Sequence, residues 1–431
     1  MRRREGQPGL VKRQFGHRAR LALTADQAAV LDGQGHAART TWNLLHDWWT
    51  MLPKAQRTLA AADAVIRQGR KDIDWLGLLP AQAAQAVLKC YFQAWKNCWE
   101  GHASAPEFKA RLRTKMSIDI PQGRDLHVQR VHRRWGMVNI PKVGRVRFRW
   151  TKDLPAGKRA DSQHRITGAR LVKDALGWHI AFRVTTLVPE PAAHPGPEVG
   201  IDAGVTIPLA LSDGTSIDHG EWLSKQEQAR LLHHEQRAAR RKAHHTKGER
   251  TSHRLQYTYD RIARLRATAK RRRDDWQHQA TTAIANTYGT VVVEALRITN
   301  MTRSAKGTEE NPGRGVGQKA GLNRSILGEA WGRTVELLAY KVADRGGILA
   351  EVPAPGTSLE CSACHTVTEG SRRSQAEFVC NNPACGWEGN ADHNAARTVL
   401  HRYRTGHALV PAAGRAVVRR ATSGVKPTTA R

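Results

Sequence analysis

Nowhere does this sequence run to about eighteen consecutive apolar residues, and no charged-then-apolar leader opens it. These absences argue against a membrane-spanning or secreted chain and predict a soluble intracellular one. Acid is also scarce. Against 69 Lys and Arg stand 38 Asp and Glu, a formal net charge of +31. No acidic residue follows Asp392. The positive charge is spread along the chain, from Arg2, Arg3 and Arg4 to Arg271, Arg272 and Arg273. Such an excess implies a polyanionic partner. Nucleic acid is the usual one, because each phosphate contact releases counterions. Cysteine is rare too, with six in 431 residues. Cys90 and Cys98 stand apart in a helical pattern and read as buried core thiols. The other four crowd between 361 and 385. In an intracellular chain that crowding points to a metal before disulfides.

What is present suffices for two or three domains: 431 residues, 40% of them hydrophobic. Residues 1–16 read as a flexible basic arm. A strand is expected over 17–23, then Thr24 as the N-cap of a helix reaching about Trp49. Helices are expected over 54–68 and 80–100. Val87, Tyr91, Ala94 and Trp99 lie near helical spacing in the second. From 116 to 187 short β-like runs take over, separated by turn residues, as in a small barrel or twisted sheet. One run alternates strictly: Arg145-Val146-Arg147-Phe148-Arg149-Trp150. Its apolar members can pack while Arg145, Arg147 and Arg149 meet phosphates or bases. Residues 188–197 hold four prolines in ten positions and read as a domain linker.

Beyond the linker, strands alternate with helices, which implies an α/β layer fold. Strands are expected at 198–203, 207–211, 290–294 and 348–352. Helices are expected at 224–246, 249–287, 325–345 and 392–403. The Gly-rich polar stretch 301–322 reads as a loop. Residues 404–431 read as a basic, poorly ordered tail. Arg271, Arg272, Arg273 and the helix before them are candidates for nucleic-acid backbone contacts.

Three acids occupy unusual places. Asp202 lies within the apolar run Val199-Gly200-Ile201. Glu294 closes Val291-Val292-Val293, and Asp392 opens a helix. A carboxylate at the end of an apolar strand is costly unless something positive meets it. Three converging carboxylates repel one another unless divalent cations lie between them. Two Mg²⁺ ions so held can activate water and stabilise the leaving oxygen of a phosphodiester. Taken singly, each acid has a blander reading, Asp392 as no more than an N-cap. The order strand-Asp, strand-Glu, helix-Asp gives the set its weight. Between the second and third acids come Cys361-Ser362-Ala363-Cys364 and, fifteen residues later, Cys380-Asn381-Asn382-Pro383-Ala384-Cys385. Two close cysteine pairs offer four thiolates in a tetrahedron for a structural Zn²⁺, with iron the lesser alternative. His365 and His393 read as bystanders.

These residues resemble the TnpB proteins encoded by transposons. Gly200-Ile201-Asp202-Ala203-Gly204 with Leu211-Ser212-Asp213-Gly214 resembles their first RuvC motif. Val292-Val293-Glu294-Ala295-Leu296 with Asn300-Met301 resembles the second. Thr357-Ser358-Leu359-Glu360-Cys361-Ser362-Ala363-Cys364 resembles the entry to their zinc ribbon. Asn390-Ala391-Asp392-His393-Asn394-Ala395-Ala396-Arg397 resembles the third RuvC motif. More faintly, residues 18–42 resemble the family's opening strand and helix, and Pro106-Glu107-Phe108-Lys109 a short family segment. Two departures are visible. Ala295 stands where Asp or Asn is common, and four residues rather than two separate Cys380 from Cys385.

The resemblance implies a fold of α/β plus α+β character. An RNase-H-like (RuvC) nuclease domain would span 198–403, with a zinc ribbon inserted at about 357–390. A wedge-like, barrel-like β domain over 17–187 would precede it, carrying a helical recognition insert at about 42–110. It implies an RNA-guided DNA endonuclease in the prokaryotic cytoplasm, monomeric on its guide RNA and acting on double-stranded DNA. Asp202, Glu294 and Asp392 would hold two catalytic Mg²⁺ ions. Cys361, Cys364, Cys380 and Cys385 would hold one Zn²⁺. A miniature type V CRISPR effector, a guided repressor without cleavage, a strand-joining transposase and a junction resolvase are the rival readings.

Overall fold

The computed structural model describes residues 9–111, 114–157, 161, 163–246, 248–308 and 310–409. The first eight residues of the expected arm and residues 410–431 of the expected tail lie outside these. The chain divides into two compact units. One comprises Met1–Pro189 with Arg237–Ala267, the other Glu190–Gln236 with Thr268–Arg431.

In the first unit, strand β1 (Leu10–Ala22) leads into helix α1 (Ala25–Met51), then α2 (Leu59–Asp72), α3 (Asp74–Gly77) and α4 (Ala81–Trp99). Six strands follow: β2 (Ser117–Ile120), β3 (Gln129–His132), β4 (Trp135–Ile140), β5 (Gly144–Arg149), β6 (His164–Asp174) and β7 (Gly177–Pro189). Thr24 starts α1 as expected. Its hydroxyl accepts from the Gln27 amide and the Gln27 side chain accepts from the Thr24 amide, both at 3.2 Å. This capping box satisfies two otherwise orphaned donors.

The seven strands form one sheet in the order β2-β6-β7-β1-β5-β4-β3, antiparallel throughout. β1 curls through its middle, pairing with β7 from Leu10 to Arg20 and with β5 at Leu21 and Ala22. Residues 10–16, expected in a flexible arm, are therefore strand. Their basic residues hid a pairing made with a segment far later in the chain, Leu10 opposite Pro189. Helices and sheet share one core, in which Leu31, Leu45 and Tyr91 pack with Phe148 and Phe182. Cys90 is exposed and Cys98 half-buried, which corrects their reading as core thiols. The buried face of α4 runs instead through Ala83, Ala84, Leu88 and Tyr91.

The second unit holds β8 (Glu198–Asp202), β9 (Leu209–Leu211) and β10 (Ser216–Ile217), then β11 (Thr290–Glu294) and β12 (Ile348–Val352). Between and after them run α5 (Lys225–Ala243), α6 (His253–Thr287), α7 (Ile298–Met301), α8 (Val316–Glu329) and α9 (Trp331–Ala343). A hairpin, β13 (Glu377–Val379) and β14 (Glu388–Asn390), precedes α10 (Ala391–Arg404). Helices α5 and α6 contribute to both units. The helix expected over 325–345 is two helices, broken where Ala330 takes a left-handed backbone (φ 53°). The first of them begins inside the stretch expected as loop.

The five-stranded sheet runs β10-β9-β8-β11-β12. β8, β11 and β12 are parallel, and β9 and β10 fold back antiparallel. Val199, Ile201, Val291 and Val293 pack with Ile284 of α6 and with Leu338 and Val342 of α9. Val292, Ala350 and Val352 pack with Val399 and Leu400 of α10. Both faces are covered, which is why β11 reads as an unbroken valine run instead of alternating. Among the described residues no helix is long and apolar enough to cross a membrane.

Helix α10 rides directly on the backbone of β8. A Cβ at Gly200 would stand 2.2 Å from the carbonyl oxygen of Ala396 and 2.8 Å from the amide of Leu400. Gly200→Ala should therefore force helix and strand apart and lower stability by about 1–3 kcal/mol. Urea unfolding of the two proteins side by side is the check, and an unchanged midpoint would contradict the contact.

Candidate active site and four-cysteine unit

Parallel pairing places the two strand acids. Val293 of β11 lies opposite Ile201 of β8, so Glu294 and Asp202 end adjacent strands at their carboxyl termini. The carboxyl ends of parallel strands are where open α/β sheets collect their ligands. The third acid arrives from the other layer. Asn390 caps α10, its side chain accepting from the amides of Asp392 at 2.9 Å and His393 at 3.1 Å. Asp392 is thus fixed in the first helical turn, where the dipole favours a negative charge, and it is 5% exposed.

The electrostatics show the crowding. Burial raises the Asp202 carboxyl to about 8, and the charges of Glu294 and Asp392 push the same way. Burial also raises Glu294, opposed by the Thr357 hydroxyl and by Arg402. Thr357 donates a hydrogen bond to Glu294. Asp392 is raised by burial and held back by Arg372, whose guanidinium stands 3.3 Å from the Asp392 carboxylate. Arg372 also lowers Asp202. The three acids are therefore neighbours, and Arg372 is the cation among them. Sequence reasoning missed Arg372, because it lies between the cysteine pairs with nothing local to mark it. A donor set of three half-buried or buried carboxylates, each strained toward its neutral form, suits a hard divalent cation.

The four cysteines converge. Their sulfurs all lie within 4.8 Å of one another. Sulfurs about 2.3 Å from one zinc stand about 3.8 Å apart in a tetrahedron. Cys361 and Cys385 are 3.8 Å apart, Cys364 and Cys380 3.7 Å, far beyond a disulfide bond. The residue after each pair turns left-handed, His365 at φ 58° and Gly386 at φ 60°. The Thr366 hydroxyl, 2.9 Å from the Cys364 sulfur, lowers that thiol to about 6, while burial pushes Cys380 up to about 12. His365 and His393 stand outside the four. His365 stacks on His401 at 3.4 Å, and with Glu360 these form a second cluster within 4.8 Å. His393 meets Ser216 Oγ at 3.1 Å and the Leu211 carbonyl at 3.0 Å. Among the described residues, Asp202, Glu294 and Asp392 do not form a cluster that tight.

The cysteine unit is bolted to α10. The buried Asn394 amide accepts from the Ser362 backbone at 2.8 Å and donates to the Glu360 carbonyl at 2.7 Å. Arg402 holds the Glu360 carboxylate at 2.8 Å.

The basic candidates fare differently. On β5, Arg145, Arg147 and Arg149 are exposed while Val146 and Phe148 are buried. Arg149 and Arg147 lie 4.3 Å and 5.5 Å from the Trp135 ring. From residue 126 to 152 the chain has eight Lys or Arg and no acid. Arg272 instead grips Glu227 at 2.6 Å and 3.0 Å. Arg273 donates to the Gly328 carbonyl at 2.6 Å. Arg271 adjoins them in α6.

A basic mixed α/β chain with acids gathered at strand ends and a four-cysteine unit fits the class of enzymes that act on nucleic acid. Comparison with known proteins makes this particular. A family model described as "Probable transposase" matches residues 181–305, and one described as "Cas12f1-like, TNB domain" matches 331–399. "Putative RNA-guided DNA endonuclease InsQ" of Escherichia coli (strain K12) is 32% identical over 340 residues, 79% of this chain and 78% of the relative. "Putative RNA-guided DNA endonuclease" of Streptomyces pristinaespiralis is 25% identical over 400 residues, 90% and 89% of the two chains. The solved Cas12f1–sgRNA–target DNA complex aligns at TM-score 0.47 and 15% identity, over 88% of this chain and 83% of that one. The chain belongs to the TnpB family of RNA-guided DNA endonucleases.

Truncating Asn394 to Ala would leave the Ser362 amide and the Glu360 carbonyl without their partner. The cost should be about 1–3 kcal/mol for each buried group stranded. Hydrogen exchange should show the segment around 360–365 opening before the sheet does, and protection equal to the parent protein would contradict the docking.

Proposed function

We propose that this protein cuts double-stranded DNA at sites chosen by base pairing with a bound guide RNA, hydrolysing the phosphodiester at Asp202, Glu294 and Asp392. The observation that carries the reading is the register that sets Glu294 beside Asp202, with Asp392 presented by α10. The second unit, from 198 to 403, would then be the RNase-H-like (RuvC) nuclease domain, with 357–390 as its zinc ribbon. Residues 17–187 would be the wedge-like domain with its helical insert, and 188–197 the linker.

When bound, two Mg²⁺ ions would supply an activated water and charge stabilisation at the leaving oxygen. The chain's own part is positional. Asp202 and Glu294 are fixed by the parallel pairing and Asp392 by the Asn390 cap. Thr357 orients Glu294. Arg372 offsets the repulsion among the acids and presents a guanidinium suited to a phosphate oxygen. Cys361, Cys364, Cys380 and Cys385 would hold one Zn²⁺, a closed tetrahedral site that shapes the ribbon and takes no part in the chemistry. Sequence specificity would come from the guide, with the protein reading shape and a short flanking motif. Arg145, Arg147 and Arg149 would grip the nucleic-acid backbone from the sheet of the first unit. Arg272 and Arg273, already bonded within the protein, would serve α6 itself. The protein would work as a monomer on its RNA.

Purified protein carrying RNA from the transposon end should cleave matched linear DNA in the presence of Mg²⁺. Asp202→Ala should bind the same DNA yet leave it intact, and cleavage surviving in that variant would remove the triad assignment. Arg372→Ala should retain binding and slow cleavage by about 10–100-fold, the range for a partner of a metal-binding side chain. A rate equal to the parent's would make Arg372 merely structural.

A further inference from the structure

The first unit carries an open groove, of about 480 Å³, that nothing above uses. It lies where the last turns of α2 meet α3 and the turn between β4 and β5. Arg67, Arg70, Lys71 and Lys142 line it, with Asp74 the one acid among the lining residues. Two of the cations are held in place by backbone carbonyls. Lys142 donates to the Gly77 carbonyl at 2.6 Å, and Arg70 to that of Leu79 at 2.7 Å. The buried Nε of Arg70 has no partner in the protein. Lys142 adopts a left-handed backbone (φ 65°), an uncommon conformation for a residue of this kind.

Helix capping would explain Arg70 and Lys142 by themselves. It does not cover Arg67 and Lys71, two exposed residues of α2 that line the same concavity, Arg67 also paired with Asp63 one turn back. Cations already ordered by the fold lose less freedom when an anion binds. A groove so lined matches a chain of phosphates.

We propose that this groove binds the phosphodiester backbone of a single nucleic-acid strand. It would hold on the order of two consecutive phosphates, each released contact carrying its share of salt dependence. The inference rests on the reading that the chain handles RNA and DNA. Guide RNA and target DNA offer the same backbone chemistry, so the experiment separates them.

The test is filter binding of a short oligouridylate and a short oligothymidylate across a salt series. Arg67→Glu with Lys71→Glu should weaken binding roughly tenfold and flatten the slope of log affinity against log salt by about 1.4, at about 0.7 per lost phosphate contact on a single strand. Lys142→Ala leaves α2 intact and should flatten the slope by about half as much. It keeps the test open if the double variant melts early. Lys89→Glu with Lys96→Glu makes the same charge change on α4, outside the groove, and should leave the slope unchanged. A loss confined to oligouridylate assigns the groove to the guide, one confined to oligothymidylate to the DNA, and a loss on both to either strand. An unchanged slope in Arg67→Glu/Lys71→Glu and in Lys142→Ala would overturn the proposal, as would an equal loss in the α4 pair. Binding is read without cleavage, so the outcome is independent of whether guided cutting occurs. Asp202→Ala protein serves equally well as the background.

Discussion

Like charges do not gather unaided, and the second unit is organised around making them do so. Two acids end adjacent parallel strands, where backbone pairing leaves them no freedom to separate. The third is carried on a helix that can come close only because residue 200 has no side chain. Sheet, helix and glycine together place three carboxylates where burial lifts the proton affinity of each, and where Glu294 and Asp392 lift that of Asp202 further. The energy for this comes from packing on both faces of the sheet, through valines on one side and the apolar stripe of α10 on the other. The acids themselves contribute none of it. A positive centre is the natural complement of such an arrangement, and Arg372 already supplies part of it.

The cysteine unit belongs to the same design. It lies in sequence between Glu294 and Asp392, and its contacts converge on α10 through Asn394 and Arg402. Its hairpin ends directly at the Asn390 cap. Ordering four sulfurs therefore also orders the start of the helix that carries Asp392. Arg372 extends from the same unit toward the acids. The four sulfurs and the three acids are mechanically joined, though no residue belongs to both sets.

Much of this was legible in the sequence where the signal is local. Thr24 reads as a cap because its partner Gln27 is three residues away. The valine run before Glu294 announces a strand covered on both faces, and the paired cysteines announce their own convergence. What failed depended on distance or on an uninformative residue. Residues 10–16 look like an arm because their partner strand ends at Pro189. The break between α8 and α9 falls on Ala330, the residue least associated with turns. Cys90 sits in an apolar helical pattern, yet the buried stripe passes beside it. Arg372 has no motif, since its neighbours are supplied by a strand and a helix that the chain reaches elsewhere. Nor does the basic triplet at 271–273 announce that Arg272 bonds Glu227 and Arg273 the Gly328 carbonyl, partners 45 and 55 positions away.

The three acids stand at 202, 294 and 392 along the chain, and this spacing has a consequence for synthesis. Domains fold broadly in the order in which they are made. The sheet that carries the first two can pair once β12 has emerged, but α10 and the cysteine unit that anchors it come later still. A partly made chain, or one cut short before residue 391, holds two acids and no third. The three acids are thus brought together last, and an unfinished copy lacks the complete set.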